Sequence, residues 1–168
     1  MHTEAVKVHG FFRLQIINPD GSIAGDSGIG ENGKLINGDG YRKNLVVNLG
    51  FQDYLCQTLG GMAGSKTISH VALGTGGAPI ATDTSLAGEI MSSTQRKTVS
   101  PSTIASKTIQ FTAAFASANS FLTASSNLSN IGLFNTSTAG TLFAGNTYTS
   151  SACATNQSVN VTYQIRFS

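Results

Sequence analysis

The chain has 168 residues and a mass of 17.4 kDa, the size of one domain, with 40% hydrophobic residues and a formal net charge of +2. Charged residues are only 11%, against a usual share of about 25%. The surface is therefore built from Ser, Thr, Asn, Gln and Gly, without the charge repulsion that keeps ordinary monomers apart. The Lys and Arg residues are scattered, with only Arg42-Lys43 and Arg96-Lys97 adjacent, so no nucleic-acid stripe is expected. No apolar run approaches the ~18 residues of a membrane span.

From Ala5 to Ile17 the sequence AVKVHGFFRLQII is β-branched and partly alternating, and Asn18-Pro19-Asp20-Gly21 follows as a turn, which predicts an N-terminal hairpin. Residues 25–40, GDSGIGENGKLINGDG, are too glycine-rich to sustain a packed element and predict a mobile or partner-ordered docking arm. After a short strand over Lys43–Val47, NLGFQDYLCQTLGG sets Phe51, Leu55 and Leu59 at i, i+4 and i+8 with Tyr54 on the same side. That spacing predicts one short α-helix near residues 48–59, closed by the Gly60-Gly61 pair.

From there the signals are β: Thr67–Leu73, Thr94–Val99, Lys107–Phe115, Asn119–Thr123, Asn130–Phe134, Thr141–Thr149 and a last strand. In the last, Val159, Val161, Tyr163, Ile165 and Phe167 alternate with polar residues, which gives one core face and one wet face. Short strands around a single helix predict one mainly β domain over 1–168, with the hairpin and glycine-rich arm in residues 1–43. The expected fold is an antiparallel β-sandwich of jelly-roll-like or Greek-key arrangement. Strands with so few charges also leave edges open to pairing with other chains.

All eight carboxylates lie between Glu4 and Glu89, and beyond Lys107 the only charged side chain is Arg166. Acid–base chemistry would have to come from the N-terminal half. Gly74-Thr75-Gly76-Gly77 fails both phosphate templates: Pro79 stands where a dinucleotide fingerprint needs glycine, and no Gly-Lys-Ser/Thr occurs. A turn with positive φ explains Gly74, Gly76 and Gly77 instead. His2, His9 and His70 lack helical i, i+4 spacing and have no cysteine nearby, so no metal or cofactor is expected. No Gly-x-Ser-x-Gly elbow is present, and a pairing of His70 with Asp83 is no motif. In TDTSLAGE, Thr82 or Asp83 caps a short helical turn, Leu86 is buried, and Glu89 reaches a backbone group or an arginine such as Arg96. The N-terminus has no apolar signal core, so no secretory leader is expected, and Cys56 and Cys153 are read as free thiols.

Taken in order, NLVVNLGFQDYL (Asn44–Leu55), ISHVALGTGGAPIATDTSLAGEI (Ile68–Ile90), SNIGLFNTSTAGTLFAGNTY (Ser129–Tyr148) and the terminal alternating strand resemble tailed-bacteriophage virion structural proteins. These include tail-fibre attachment regions and stand-alone surface or decoration subunits. The matching positions are Gly74 and Gly76 in the loop, Leu86 and Glu89 after it, and Gly132, Leu133 and Phe134 in the later strand; Asp83 joins them as a structural candidate. Asn130 stands where the family usually has Glu, and Arg96 lies several residues later than the usual arginine, which puts an ionic link from the strand at 130 in question. The resemblance implies a non-enzymatic, oligomeric β module, such as a trimer, that is folded in the bacterial host and held in the virion by other capsid or tail proteins. Two other readings are a glycan-binding host-recognition module, weakened by the absence of Trp, and a tail-associated hydrolase.

Overall fold

The computed structural model describes residues 6–90 and 96–168. Ten strands form one antiparallel sheet: β1 Val8–Ile17, β2 Ile23–Asp26, β3 Arg42–Val46, β4 His70–Gly74, β5 Lys97–Thr98, β6 Ser100–Ala105, β7 Thr108–Phe115, β8 Ser126–Phe134, β9 Leu142–Cys153 and β10 Ser158–Phe167. Their spatial order is β5-β4-β8-β9-β3-β1-β10-β7-β6, with β2 paired to β1. The protein is mainly β and antiparallel, as the run of short strands predicts, and the sheet is nearly closed into a barrel.

Closure comes from strands that change layer partway along, as at the corners of packed sheets. In β3, Arg42, Lys43 and Asn44 pair with β1, whereas Leu45 and Val46 pair with β9. On the opposite side Lys97 and Thr98 pair with β4, Val99 N–H donates to the Ser69 carbonyl, and Ser100–Ala105 runs along β7. One continuous segment thus joins the two ends of the sheet.

Alternation places Phe12, Leu14 and Ile16 of β1 and Val159, Val161, Tyr163 and Ile165 of β10 in the main core. The β4 and β8 runs, VALG and IGLF, are buried throughout, because that layer is covered on both faces. Its outer side carries a second, smaller core of Val47, Ala72, Leu86, Phe134 and Leu142.

Several expectations need correction. The strand expected at Asn119–Thr123 is a tight 3₁₀ turn at Ser117–Asn119, followed by Ser120 at φ 49°, and it delivers Phe121 and Leu122 into the core as a plug. The first two residues of the strand expected at Thr94–Val99 lie outside the described residues, as do His2, Glu4 and Ala5. The arm at 25–40 does fold: Arg13 makes a two-pronged ion pair with Asp26 (3.0 and 2.7 Å), and Ser27 exchanges hydrogen bonds with the Leu14 backbone. Arg42 Nε donates to the Ser27 carbonyl at 2.6 Å, and Ile29 bridges to Leu35. Composition predicted an unpacked loop; specific polar contacts to β1 and β3 hold it instead.

The helix is present but is wound differently. Gly50–Cys56 is π-helical, flanked by α-helical residues at 48–49 and at Gln57–Leu59. The wider turn rotates the face that meets the core, burying Gly50, Asp53 and Tyr54. Phe51 and Leu59 are 41% and 89% exposed.

Candidate functional site

The residues singled out in the sequence converge on the outer face of β4 and β8, under the segment 75–90. Gly74 bridges to Glu89, Thr75 N–H donates to the Gly88 carbonyl, and Ile90 N–H donates to the Leu73 carbonyl, so the segment folds back along β4. None of Gly74, Gly76 and Gly77 has positive φ, contrary to the expectation for this turn; Gly88 takes that conformation, at φ 60°. The first two are glycine for lack of space. A Cβ on Gly76 would lie 2.3 Å from the Ala87 carbonyl oxygen, and one on Gly74 would lie 2.3 Å from Asn130 Oδ1. Gly77 has nothing within 4 Å of such a Cβ.

Asn130, fully buried, stitches the loop to β8. Its Nδ2 donates to the Gly77 and Ala87 carbonyls at 3.1 and 2.8 Å, and Ser129 Oγ donates to the Gly76 carbonyl. Here a neutral amide satisfies carbonyls where the resembling family places a carboxylate. Asp83 does not cap a helix, since the turn continues into none; its Oδ2 accepts the Ile80 N–H at 2.9 Å. Leu86 is 4% exposed and reaches the second core, next to Gly132, where an added Cβ would lie 3.4 Å from Leu86 Cδ1 and 2.7 Å from Leu142 Cδ1. Leu133 points the other way, into the main core.

Glu89 and Arg96 form a buried two-pronged ion pair, with Nε to Oε1 at 2.7 Å and Nη2 to Oε2 at 2.9 Å. The guanidinium lies 3.4 Å from the centre of the Phe134 ring and donates through Nη1 to the Thr136 and Ala139 carbonyls. One arginine thus ties the cover loop, β8 and the 135–140 turn together. His70 sits beside this knot, and burial, with the Arg96 charge adding to it, holds its pKa below the ordinary value. Ser69 Oγ donates to the Asn135 carbonyl at 2.6 Å, so the His70 Nδ1–H is the donor to Ser69 Oγ, leaving Nε2 to accept from Thr98. Neither ring nitrogen is held by a carboxylate.

A second ion pair lies beneath the helix, where Lys66 Nζ contacts Asp53 and donates to Thr141 Oγ1 at 2.8 Å. Tyr54 hydroxyl donates to the Thr141 carbonyl, and its burial raises its pKa well above the ordinary value. On the outer face of β1 and β10, Arg166 lies 4.1 Å from the Phe11 ring centre and 5.3 Å from that of Tyr41 while pairing with Asp39 at 2.9 Å. Those aromatic faces are capped by a cation. Cys56 is a free exposed thiol; Cys153 is free and buried, its pKa pushed up to about 11 by burial.

Among the described residues no group of three His, Cys, Asp or Glu side chains is placed to hold a metal, and no helix is long and apolar enough to cross a membrane. Sequence reasoning missed the apolar hollow beside the helix, lined in part by Phe51, Leu55 and Leu59. The stripe is visible in the sequence, where its spacing signals the helix but not the hollow. The chain matches no protein-family model, no curated protein and no solved structure.

Proposed function

We propose that the chain is a non-enzymatic structural subunit of a tailed-phage virion, docked on capsid or tail proteins. The observation that carries this reading is the use made of the polar groups at the motif-bearing segments. Glu89 is consumed by Arg96, Asp83 by a backbone turn, His70 by Ser69 and Thr98, and Asn130 by two loop carbonyls. Glu89 and Asn130 hold the cover loop to its neighbours, Asp83 closes a turn within that loop, and His70 sits between two strands; groups spent in this way serve a structural module rather than an acid–base pair in a cleft. The neutral surface supports the same reading, because an assembly places such surfaces against neighbours.

The test is the copy number in purified particles, measured by quantitative mass spectrometry against the major capsid protein. A count in the hundreds places the subunit on the capsid as a decoration protein, and a few to a few tens place it on the tail. Absence from the particle refutes the proposal.

A further inference from the structure

Nearly every arginine and carboxylate of the molecule is spent on a partner, and the exceptions lie together. Of the four arginines in the sequence, Arg13, Arg96 and Arg166 each hold a carboxylate. The described carboxylates are used as fully: Asp26, Asp39, Asp53 and Glu89 take a cation, while Asp20 and Asp83 accept N–H groups of their own turns. That leaves Arg42 and Glu31, neither of which has an ionic partner among the described residues. Both line one recess of about 200 Å³ between the 25–40 arm and β9.

Arg42 is half-buried, and its Nε donates to the Ser27 carbonyl at 2.6 Å, which fixes the plane of the guanidinium. Its η nitrogens bond no described residue, and a half-buried cation in that state carries a desolvation cost that an added acceptor would offset. Neighbouring Asp26 is no such acceptor, because Arg13, Gln15 and the Gly28 N–H already occupy its oxygens. Glu31 is exposed, with no side-chain hydrogen bond among the described residues. The remaining wall is Thr149 and Ser151 of β9, past the point where that strand last pairs with β3, at Leu45 and Gly145. Hydroxyls and an unpaired strand edge thus border the recess, and Ile29 is its one apolar side chain.

The charge pattern selects a ligand. A guanidinium fork takes a carboxylate by two parallel bonds, yet a simple anion here would also meet the Glu31 carboxylate, and a simple cation would meet Arg42. A molecule that carries both a carboxylate and an ammonium group complements the two together. The volume lies below the roughly 300–1,000 Å³ of drug-sized pockets, so the molecule is small. We infer that the recess binds a free α-amino acid, with its carboxylate on Arg42, its ammonium group on Glu31 and the Thr149 and Ser151 hydroxyls beside it. This does not rest on the virion reading, because the purified subunit alone either binds or does not.

The test is a titration with glycine and with alanine at constant pH and ionic strength, followed by nitrogen-resolved proton NMR at the Arg42 Nε–H and the Thr149 and Ser151 amides. Saturable shifts centred on the recess are expected. Acetate and methylammonium, which each carry half of the charge pattern, should bind weaker by about tenfold or more. Glu31→Gln should fold as the wild type does, because the side chain is exposed and unbonded. Its dissociation constant for glycine should rise about ten- to a hundredfold, the worth of one charge-assisted hydrogen bond. Arg42→Lys keeps the charge but loses the fork, and should weaken glycine by a similar factor. Signals that stay still at high amino-acid concentration, acetate binding as tightly as glycine, or an affinity indifferent to Glu31→Gln would each overturn the inference. So would a urea double-mutant cycle in which Glu31 and Arg42 already stabilise one another in the free protein, since the recess would then be closed by its own ion pair.

Discussion

Removing Glu89 tests whether the segment 75–90 is held by electrostatics or merely decorated by it. In Glu89→Ala the Arg96 guanidinium, whose side chain is 5% exposed, keeps the Phe134 ring and the Thr136 and Ala139 carbonyls but loses its one carboxylate partner among the described residues. Breaking one side of a buried pair costs about 3–5 kcal/mol. The surviving carbonyl contacts put this site at the low end, about 3 kcal/mol, against a total stability of roughly 5–15 kcal/mol for a domain. For a chain of this length that is a fall in Tm of about 6–12 °C. Urea titration followed by circular dichroism should show the midpoint falling with the slope unchanged. The double variant Glu89→Ala, Arg96→Met should recover most of the loss, because an apolar replacement of a buried pair is often neutral. A loss below about 1 kcal/mol, the scale of an exposed pair, or a double variant no better than the single one, would refute the account. A hydrolase reading of Glu89 predicts the reverse pattern, with stability kept and an activity lost.

Gly76→Ala should destabilise by about 1–3 kcal/mol through overpacking, because its Cβ meets the Ala87 backbone, whereas Gly77→Ala should be neutral or slightly stabilising; paired urea midpoints measure the contrast. The Asp26 carboxyl is pushed up by burial, but the hydrogen bonds from Arg13, the Gly28 N–H and Gln15, with the Arg13 charge, outweigh that and hold it below the ordinary range. Its stabilisation is therefore full above the unfolded-state value of about 3.9 and is lost as pH falls through the lower folded value. Acid titration of stability should show that loss in the wild type and its absence in Asp26→Asn. With a thiol reagent under native conditions Cys56 should react at once and Cys153 only on unfolding, so Cys56→Ser should show no fast phase.

The strands that were legible in the sequence are those with two chemically different faces. β10 alternates because one side packs on Phe12 and Phe111 while the other carries Gln164 and Arg166. β6, SPSTIA, gave no signal because all six residues are exposed, so no core face existed to leave a pattern. The helix was found by its period, but the period could not reveal the π winding, which moves the buried face onto Asp53 and Tyr54. For the 25–40 arm, glycine content predicted an unpacked loop, because the decisive contact joins Asp26 to Arg13, a pairing that the β1–β2 register brings about. At the site, Leu86 inward and Glu89 with Arg96 were both readable. The reason for Gly74 and Gly76 was not, because close approach of another backbone leaves no mark in the local sequence.

The seat of β10 has a consequence for how the molecule is made. It is the last strand in sequence, yet it lies between β1 and β7 and pairs with both along nearly its whole length. Lys7 and Ser168 exchange backbone hydrogen bonds where β1 and β10 end together. A nascent chain emerging from the ribosome therefore holds β1 and β7 with bare edges until residues 158–167 arrive, and the barrel then closes by a contact spanning almost the full sequence. Such non-local closure slows folding to the millisecond-to-second range typical of β topologies. With so little charge to keep exposed edges apart, the interval before closure is when the chain is most open to mispairing with its neighbours.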